Sequence, residues 1–445
     1  MDTLFTHVSV VTMDESMTVL TDAFVGVEGG KIVHLSKRAP ADDVKPQTII
    51  DATGLVMMPG LINCHTHLPM SLLRGYADDY DLHTWLHEYI FPREARLDDR
   101  AVKAATLLSI AECIRFGTTS VSDMYDHCDA IAEAVAESGI KANISRGAIM
   151  FDPTDFDFKT FPACREMVEM RKKWHGYEDG RIKIDGSIHG EYTSSHELWE
   201  ATARYCAEEE LGMHIHLSET KAEHDGAVER HGLTAAQVLD CHHIFDGRTI
   251  AAHCVHLTEE DMKLLGKRKV SAVHCPVSNL KLASGRADVM KMVRNGMNVA
   301  LGTDSSSSNN NLDMFEEMKT AALNAKELSG DASTFTAQAA LMMATVCGAR
   351  AQGREKECGM LKVGMDADLI LLDFTQPHLI PCHDIMSHLV YAARGNDVVL
   401  TMVRGKVLYS GGKYHTIDMQ KVMEELSAHA IPKVFDDRQE EANEQ

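Results

Sequence analysis

The sequence predicts an α/β protein: a (β/α)8 barrel of the TIM type with a small β-sandwich built from both ends of the chain. Three observations predict it. Eight short apolar runs alternate with helix-like stretches through the middle. Both ends carry strand-and-turn patterns instead. The length of 445 residues exceeds one small core and suits a large domain with a smaller companion.

The N-terminal part opens with apolar-rich strands at 5–11, 23–27 and 31–35, and Gly29-Gly30 between the last two reads as a hairpin turn. Gly54-Leu-Val-Met-Met-Pro-Gly60 marks a boundary. The eight barrel runs then lie at 56–62, 119–123, 142–146, 182–188, 213–217, 249–253, 271–274 and 298–302, with helical periodicity between them, as at 100–116 and 196–210. A doubly wound sheet is the rival, weakened by the lack of a Gly-x-Gly-x-x-Gly fingerprint. Strand patterns return at 367–372, 398–403 and 406–409, with Gly405 and Gly411-Gly412 as turns. The expected division is 1–57 for the first part of the sandwich and 58–360 for the barrel. The second sandwich part and a C-terminal helix take 361–432, and 433–445 is a frayed acidic tail.

Composition narrows the function. There are 44 basic against 66 acidic residues, a formal charge of −22, which repels nucleic-acid backbones and anionic membranes. A small neutral or cationic substrate fits such a surface; a homo-oligomer is compatible with it. The first residues have no basic and apolar signal-peptide pattern, and no run of about 18 apolar residues exists to span a membrane. The 11 cysteines, an odd number without a Cys-x-x-Cys pair, read as reduced thiols of a cytoplasmic protein.

The metal-type residues fall at strand ends. His65 and His67 follow the first run, His214, His216 and Glu219 sit at and beyond the fifth, His253 ends the sixth, and Asp304 follows the eighth. All strands of a parallel barrel end on one face, so these groups converge at one mouth. Each has a plainer reading alone: a packed histidine pair, a helix N-cap for Asp304, a solvated helix acid for Glu219. Their co-location favours metal. Three imidazoles and a carboxylate suit zinc, with iron second, and leave a position for water. Metal binding brings the pKa of water from about 15.7 towards ~7. Glu219 is placed to carry protons to a ring nitrogen and a leaving amine. His214 and His216 share a strand face and compete as the fifth-strand ligand; His216 lies nearer the mouth. A second ion would need a bridging group ending the fourth strand. That strand ends at Ile188-His189-Gly190, with Lys183 near its beginning, so one divalent ion per chain is expected.

Pro59-Gly-Leu-Ile-Asn-Cys-His-Thr-His67 resembles the opening of the amidohydrolase superfamily. Further matches are Pro69-Met-Ser-Leu-Leu-Arg-Gly-Tyr-Ala-Asp78, Trp85, Pro92-Arg-Glu94, His214-Ile-His-Leu-Ser-Glu-Thr220, Ala251-Ala-His-Cys-Val-His256, Ser278-Asn-Leu-Lys-Leu282 and Leu301-Gly-Thr-Asp304. Together, from about Phe5 to Lys421, they resemble the 5-methylthioadenosine/S-adenosylhomocysteine deaminases. The resemblance implies His65, His67, His216 and Asp304 as ligands, with Asp304 also in the catalytic set. It implies Glu219 as proton shuttle and His253 as hydrogen-bond partner of the attacking water. For the nucleoside it implies Trp85 and Glu94 as holding residues, Glu94 on the ribose hydroxyls, with His189 at the base and Arg146 towards the 5′ substituent.

The residues also have structural readings: Trp85 as a core aromatic, Glu94 as a solvated helix acid, Arg146 as an ion-pair partner, and Met70, Met124 and Met150 as core packing ahead of a thioether pocket. Two departures stand out. The segment 151–161 has Lys159 but lacks the second arginine that helps hold a homocysteine carboxylate in relatives, and Ser305-Ser-Ser-Ser308 replaces a Gly-Ala-Ala-Ser pattern. The expected function is hydrolytic deamination of an adenosine analogue (5-methylthioadenosine, adenosine, 5′-deoxyadenosine or S-adenosylhomocysteine) to the inosine analogue and ammonia. The rivals are deamination or dechlorination of a guanine- or triazine-type heterocycle, and a non-catalytic metal-binding scaffold. Glu219 and His253 argue against the scaffold, since neither is needed merely to hold metal.

Overall fold

The computed structural model describes residues 1–436. The chain opens with β1 (Thr3–Val11), β2 (Val19–Glu28), β3 (Lys31–Ser36), β4 (Thr48–Asp51) and β5 (Leu55–Pro59). The β2–β3 hairpin turns through Gly29 and Gly30, at φ 56° and 79°, left-handed values that glycine adopts without a Cβ clash.

The middle of the chain forms β6 (Leu61–Thr66), β7 (Thr118–Tyr125), β8 (Lys141–Arg146), β9 (Ile182–Ser187), β10 (Met213–Leu217), β11 (Thr249–His253), β12 (Ser271–His274) and β13 (Asn298–Leu301). Each pairs in parallel with the next. The bridge Thr66–Asp304, with Asp304 N–H donating to the His65 carbonyl at 3.0 Å, closes the ring. Helices such as Asp99–Arg115 and His196–Glu208 cover the outside. The strands are buried along nearly their whole length, as parallel strands under helices must be.

The last strands, β14 (Leu369–Asp373), β15 (Val398–Val403), β16 (Lys406–Ser410) and β17 (Lys413–Tyr414), join the first five in one nine-stranded mixed sheet. The two-residue period of β14 joins the layers. Leu369 and Leu371 pack inside the curled sheet with Phe5, Val25 and Leu400, whereas Ile370 and Leu372 pack with Val56, Met58 and the barrel side.

The apolar run at 56–62 is not one barrel strand. Gly60 divides it: Gly60 N–H donates to the Asp368 carbonyl in the terminal sheet, and Leu61 N–H to the Gly117 carbonyl in the barrel. A Cβ on Gly60 would lie 2.1 Å from the Thr119 side chain, so the crossing between layers needs glycine here. Barrel pairing therefore begins at Leu61. The helical end of the chain, Met419–Glu425 through Ile431–Phe435, packs on the barrel helix Asp99–Arg115. Residues 433–435 of the expected tail belong to that helical end, and 437–445 lie outside the described residues. Among the described residues no helix is long and apolar enough to cross a membrane.

Candidate metal centre and active site

At the C-terminal mouth of the barrel, side chains from four strand ends, those of β6, β10, β11 and β13, meet. The ring nitrogens of His65, His67 and His216 lie within 4.8 Å of one another, and so do the ligand atoms of His65, His253 and Asp304. Asp304 Oδ1 is 3.5 Å from His65 Nε2 and 3.3 Å from His67 Nε2, and the Nε2 atoms of His67 and His216 are 3.3 Å apart.

The Nδ1 side of each ring is engaged elsewhere, which turns Nε2 inward. His67 Nδ1–H donates to the Met124 carbonyl and His216 Nδ1–H to the His189 carbonyl at 2.7 Å. His65 Nδ1 meets His214 Nε2 at 2.9 Å, and His214 Nδ1 meets Ser145 Oγ at 3.3 Å. This separates the two fifth-strand histidines: His216 joins the cluster, and His214 orients His65 from behind. His65 Nε2 is buried without a hydrogen-bond partner. An orphaned nitrogen facing two further imidazoles and a carboxylate fits a divalent ion. Burial pushes His65 down to about 4 and His216 well below its ordinary value, favouring the neutral rings that ligate metal. Burial would also lower His67, but its hydrogen bond and charge contact with Asp304 take it up to about 9. Burial would raise Asp304, yet the two histidines hold it well below the usual carboxylate range.

The backbone at these strand ends is unusual. Ser218, His253, Cys254 and Asp304 have φ of 49°, 69°, 51° and 62°, left-handed values that non-glycine residues adopt only when their surroundings hold them. The holding contacts are present. Cys254 N–H donates to the Leu217 carbonyl and His256 N–H to that of Ser218. The buried Glu223 carboxylate accepts from the Ser218 and Glu219 amides at 2.8 and 2.7 Å.

The segment after β12 holds three of the side chains at the mouth. Ser278 Oγ donates to Asp304 Oδ2 at 2.6 Å, Asn279 Oδ1 meets His253 Nδ1 at 2.9 Å, and Ser284 Oγ donates to Glu219 Oε1 at 3.1 Å. Ser308, the last of the serine run, donates to the same Asp304 oxygen at 2.7 Å. Sequence reasoning gave Ser278, Asn279, Ser284 and Ser308 no role. Ser278 and Asn279 fall in the matching stretch 278–282 and Ser308 in the departing serine run, but neither pattern says which side chains they hold. Glu219 Oε2 is 3.7 Å from His253 Nε2. Burial raises Glu219 above its ordinary value against the opposing charge of His253. An acid buried beside a metal-type cluster is suited to carry a proton.

A cavity of about 380 Å³ opens over this cluster. His67, His216, Glu219, His253 and Asp304 line its floor side, and Trp85, Glu94 and His189 line it as well. Met70, Met124 and Met150 are all buried, Met70 and Met150 within apolar clusters, and Met70 and Met124 also reach the cavity wall because the turn after β6 and the end of β7 face the mouth. Arg146 is not among the lining residues. Its guanidinium is committed to Asp126, to Glu166 at 2.7 Å and to the Gly147 carbonyl at 2.8 Å, which is the ion-pair reading. Lys159 is exposed, and no lysine or arginine lines the cavity among the described residues. Lys183 bonds to the Gly353 carbonyl and Glu357 at the other end of its strand from His189.

A parallel barrel with a His/Asp metal-binding cluster in its C-terminal mouth is the architecture of a metal-dependent hydrolase. The chain belongs to the amidohydrolase family, whose model matches residues 56–408. It is 46% identical over 380 residues to a 5-methylthioadenosine/S-adenosylhomocysteine deaminase of Moorella thermoacetica, covering 85% of this chain and 88% of the relative. It is 43% identical over 429 residues to a 5′-deoxyadenosine deaminase of Methanosarcina acetivorans, covering 96% and 98%. Its fold matches the crystal structure of an adenosine deaminase from Xanthomonas campestris with bound zinc, at TM-score 0.89 and 33% identity, over 96% and 97% of the two chains.

Proposed function

We propose that this protein is an aminohydrolase that converts an adenosine analogue to the inosine analogue and ammonia, using one divalent ion per chain, zinc first. The observation that carries the reading is the meeting of the His/Asp cluster with Glu219 and His253 on one side of a cavity whose walls hold Trp85, Glu94 and His189. His65, His67, His216 and Asp304 would hold the ion, whose chemistry when bound would be to make a water acidic enough to act as a nucleophile at neutral pH.

The chain's own residues do the rest. His253, fixed by Asn279, hydrogen-bonds the water and sets its line of approach. Glu219 takes a proton from that water and delivers it to ring N1, then moves a second proton to the exocyclic nitrogen. The C6–N bond breaks, ammonia leaves, and the ring keeps a carbonyl; one water is consumed. His189, its Nδ1 side held by Thr193 at 3.1 Å, offers its other nitrogen to the base. Trp85 closes over the nucleoside, and Glu94 accepts hydrogen bonds from the ribose hydroxyls.

Among the described residues no lysine or arginine lines the cavity and Arg146 is held by two acids, which favours an uncharged 5′ group. Methylthioadenosine, adenosine or 5′-deoxyadenosine should therefore exceed S-adenosylhomocysteine in kcat/KM. The test is ammonia release by purified protein from those four nucleosides, guanine and melamine. A best rate on guanine or melamine would transfer the assignment to another amino-heterocycle. A best rate on S-adenosylhomocysteine would overturn the 5′-group argument alone.

A further inference from the structure

We infer that Tyr125 is a specificity-determining positioning residue, which aims the Glu94 carboxylate and thereby makes the site selective for an intact ribose diol. The inference rests on the reading of Glu94 as the ribose acceptor.

Tyr125 is the last residue of β7, at the mouth of the barrel, and Glu94 lies on a helical turn reached from β6. Two separate elements thus meet over the cavity, and both residues line it. The Tyr125 hydroxyl donates to Glu94 Oε1 at 2.5 Å. Among the described residues this is the one hydrogen bond to that carboxylate, so Oε2 keeps its lone pairs for a ligand. Tyr125 is 9% exposed, and its ring packs at a tilt against that of His67, centroids 6.3 Å apart. Packing therefore fixes the hydroxyl, and the hydroxyl fixes one carboxylate oxygen. A glutamate has three rotatable torsions, and among the described residues Tyr125 is the one hydrogen-bond partner that holds this carboxylate. Two hydroxyls on adjacent ribose carbons need a carboxylate in one orientation, because each must find its own lone pair. A substrate with no diol makes no such demand.

The experiment compares wild type, Tyr125→Phe, Glu94→Ala and the double variant on 5′-deoxyadenosine and on 2′,3′-dideoxyadenosine, with metal content and thermal unfolding as controls. Tyr125→Phe should cut kcat/KM on the riboside by about 10-fold, the order expected for a hydrogen bond to a charged group, mostly through KM. It should leave the dideoxynucleoside within about 2-fold, and in the Glu94→Ala background it should cost nothing further. A riboside-selective loss in Glu94→Ala with none in Tyr125→Phe overturns the role of Tyr125 and leaves the ribose reading standing. An equal loss on both substrates in Glu94→Ala removes the ribose reading and this inference with it. A Tyr125→Phe loss that is equal on both substrates, or additive with Glu94→Ala, also overturns it, since Tyr125 would then act on the fold or the base.

Discussion

Glu219 has two neighbours that ask different things of it: Ser284 donates to one oxygen, and His253 faces the other. Replacing it with glutamine keeps the shape and both contacts but removes the carboxylate proposed to carry the proton. Glu219→Gln should retain metal and lose at least about 100-fold in kcat; near-normal turnover would move the shuttle to another group. The ligands make a separate prediction. His216→Ala deletes one inward nitrogen, so elemental analysis should show about one ion per chain in wild type and a large loss in the variant. Two ions per active chain would contradict a single-ion site. At this scale the sequence was informative about which side chains gather at the strand ends. His65, His67, His216, His253 and Asp304 could be placed at one mouth from strand order alone. Ser278, Asn279 and Ser284 could not, because their partners are 26, 26 and 65 residues away and the contacts exist only after the barrel closes. Arg146 was legible only in part, for the converse reason. Its position at a strand end was legible, but Asp126 and Glu166, which take up its charge, become its neighbours only in the folded molecule.

Elements differ in how their position is secured. The fifth, sixth and seventh barrel strands were legible to the residue, since a buried parallel strand is a short apolar run with abrupt ends. The wall that carries Trp85 and Glu94 was not. It is one helical stretch, Leu82–Thr84, the π-helical Trp85–Ile90 and Phe91–Glu94 in direct succession, and the π segment breaks the 3.6-residue period a sequence pattern would show. Its anchor comes from the far end of the sequence. Arg93 and Arg96, flanking Glu94, each donate to the Val434 carbonyl at 3.2 Å. The Arg93 guanidinium also lies 5.5 and 5.6 Å from the rings of Tyr76 and Phe435, which pack on each other. The helical end of the chain is thereby tied to the cavity wall. Phe435→Ala removes an aromatic pair and a cation–π contact, each worth about 0.5–1.5 kcal/mol. The expected result is a rise in KM for nucleosides of roughly 3- to 10-fold, with kcat and metal content unchanged. A fall in kcat at constant KM would show that the wall does not depend on this anchor.

For the molecule as a whole, the question is what holds a barrel to a sheet made from both chain ends. Apolar packing through β14 is part of the answer, and a buried ionic knot is the rest. Lys141, at the start of β8 and 1% exposed, places its ammonium 2.6 Å from both Asp366 and Asp368, which lead into β14. Lys31 reaches Asp366 from the N-terminal sheet, and the Arg404 amide donates to Asp368 from the turn between β15 and β16. One lysine of the barrel thus binds carboxylates shared by both ends of the chain. Lys141→Met would leave two buried carboxylates short of their main counter-charge, a defect that costs about 3–5 kcal/mol when one partner of a buried pair is removed. The pH dependence has a definite sign. Burial pushes Asp366 up, but the charges and hydrogen bonds of Lys141 and Lys31 outweigh it and hold the carboxyl below its ordinary value. A depressed carboxylate contributes stability that is present above the unfolded value of about 3.9 and is lost as pH falls through the folded one. The wild type should therefore weaken under acid conditions below about pH 4. The gap between wild type and Lys141→Met, wide at pH 7, should narrow over the same range, because a protonated Asp366 no longer needs the ammonium. Thermal unfolding of both proteins at pH 7 and at the lowest pH where each stays soluble measures this. A gap that stays constant with pH would mean that Lys141 contributes through packing of its chain and not through its charge.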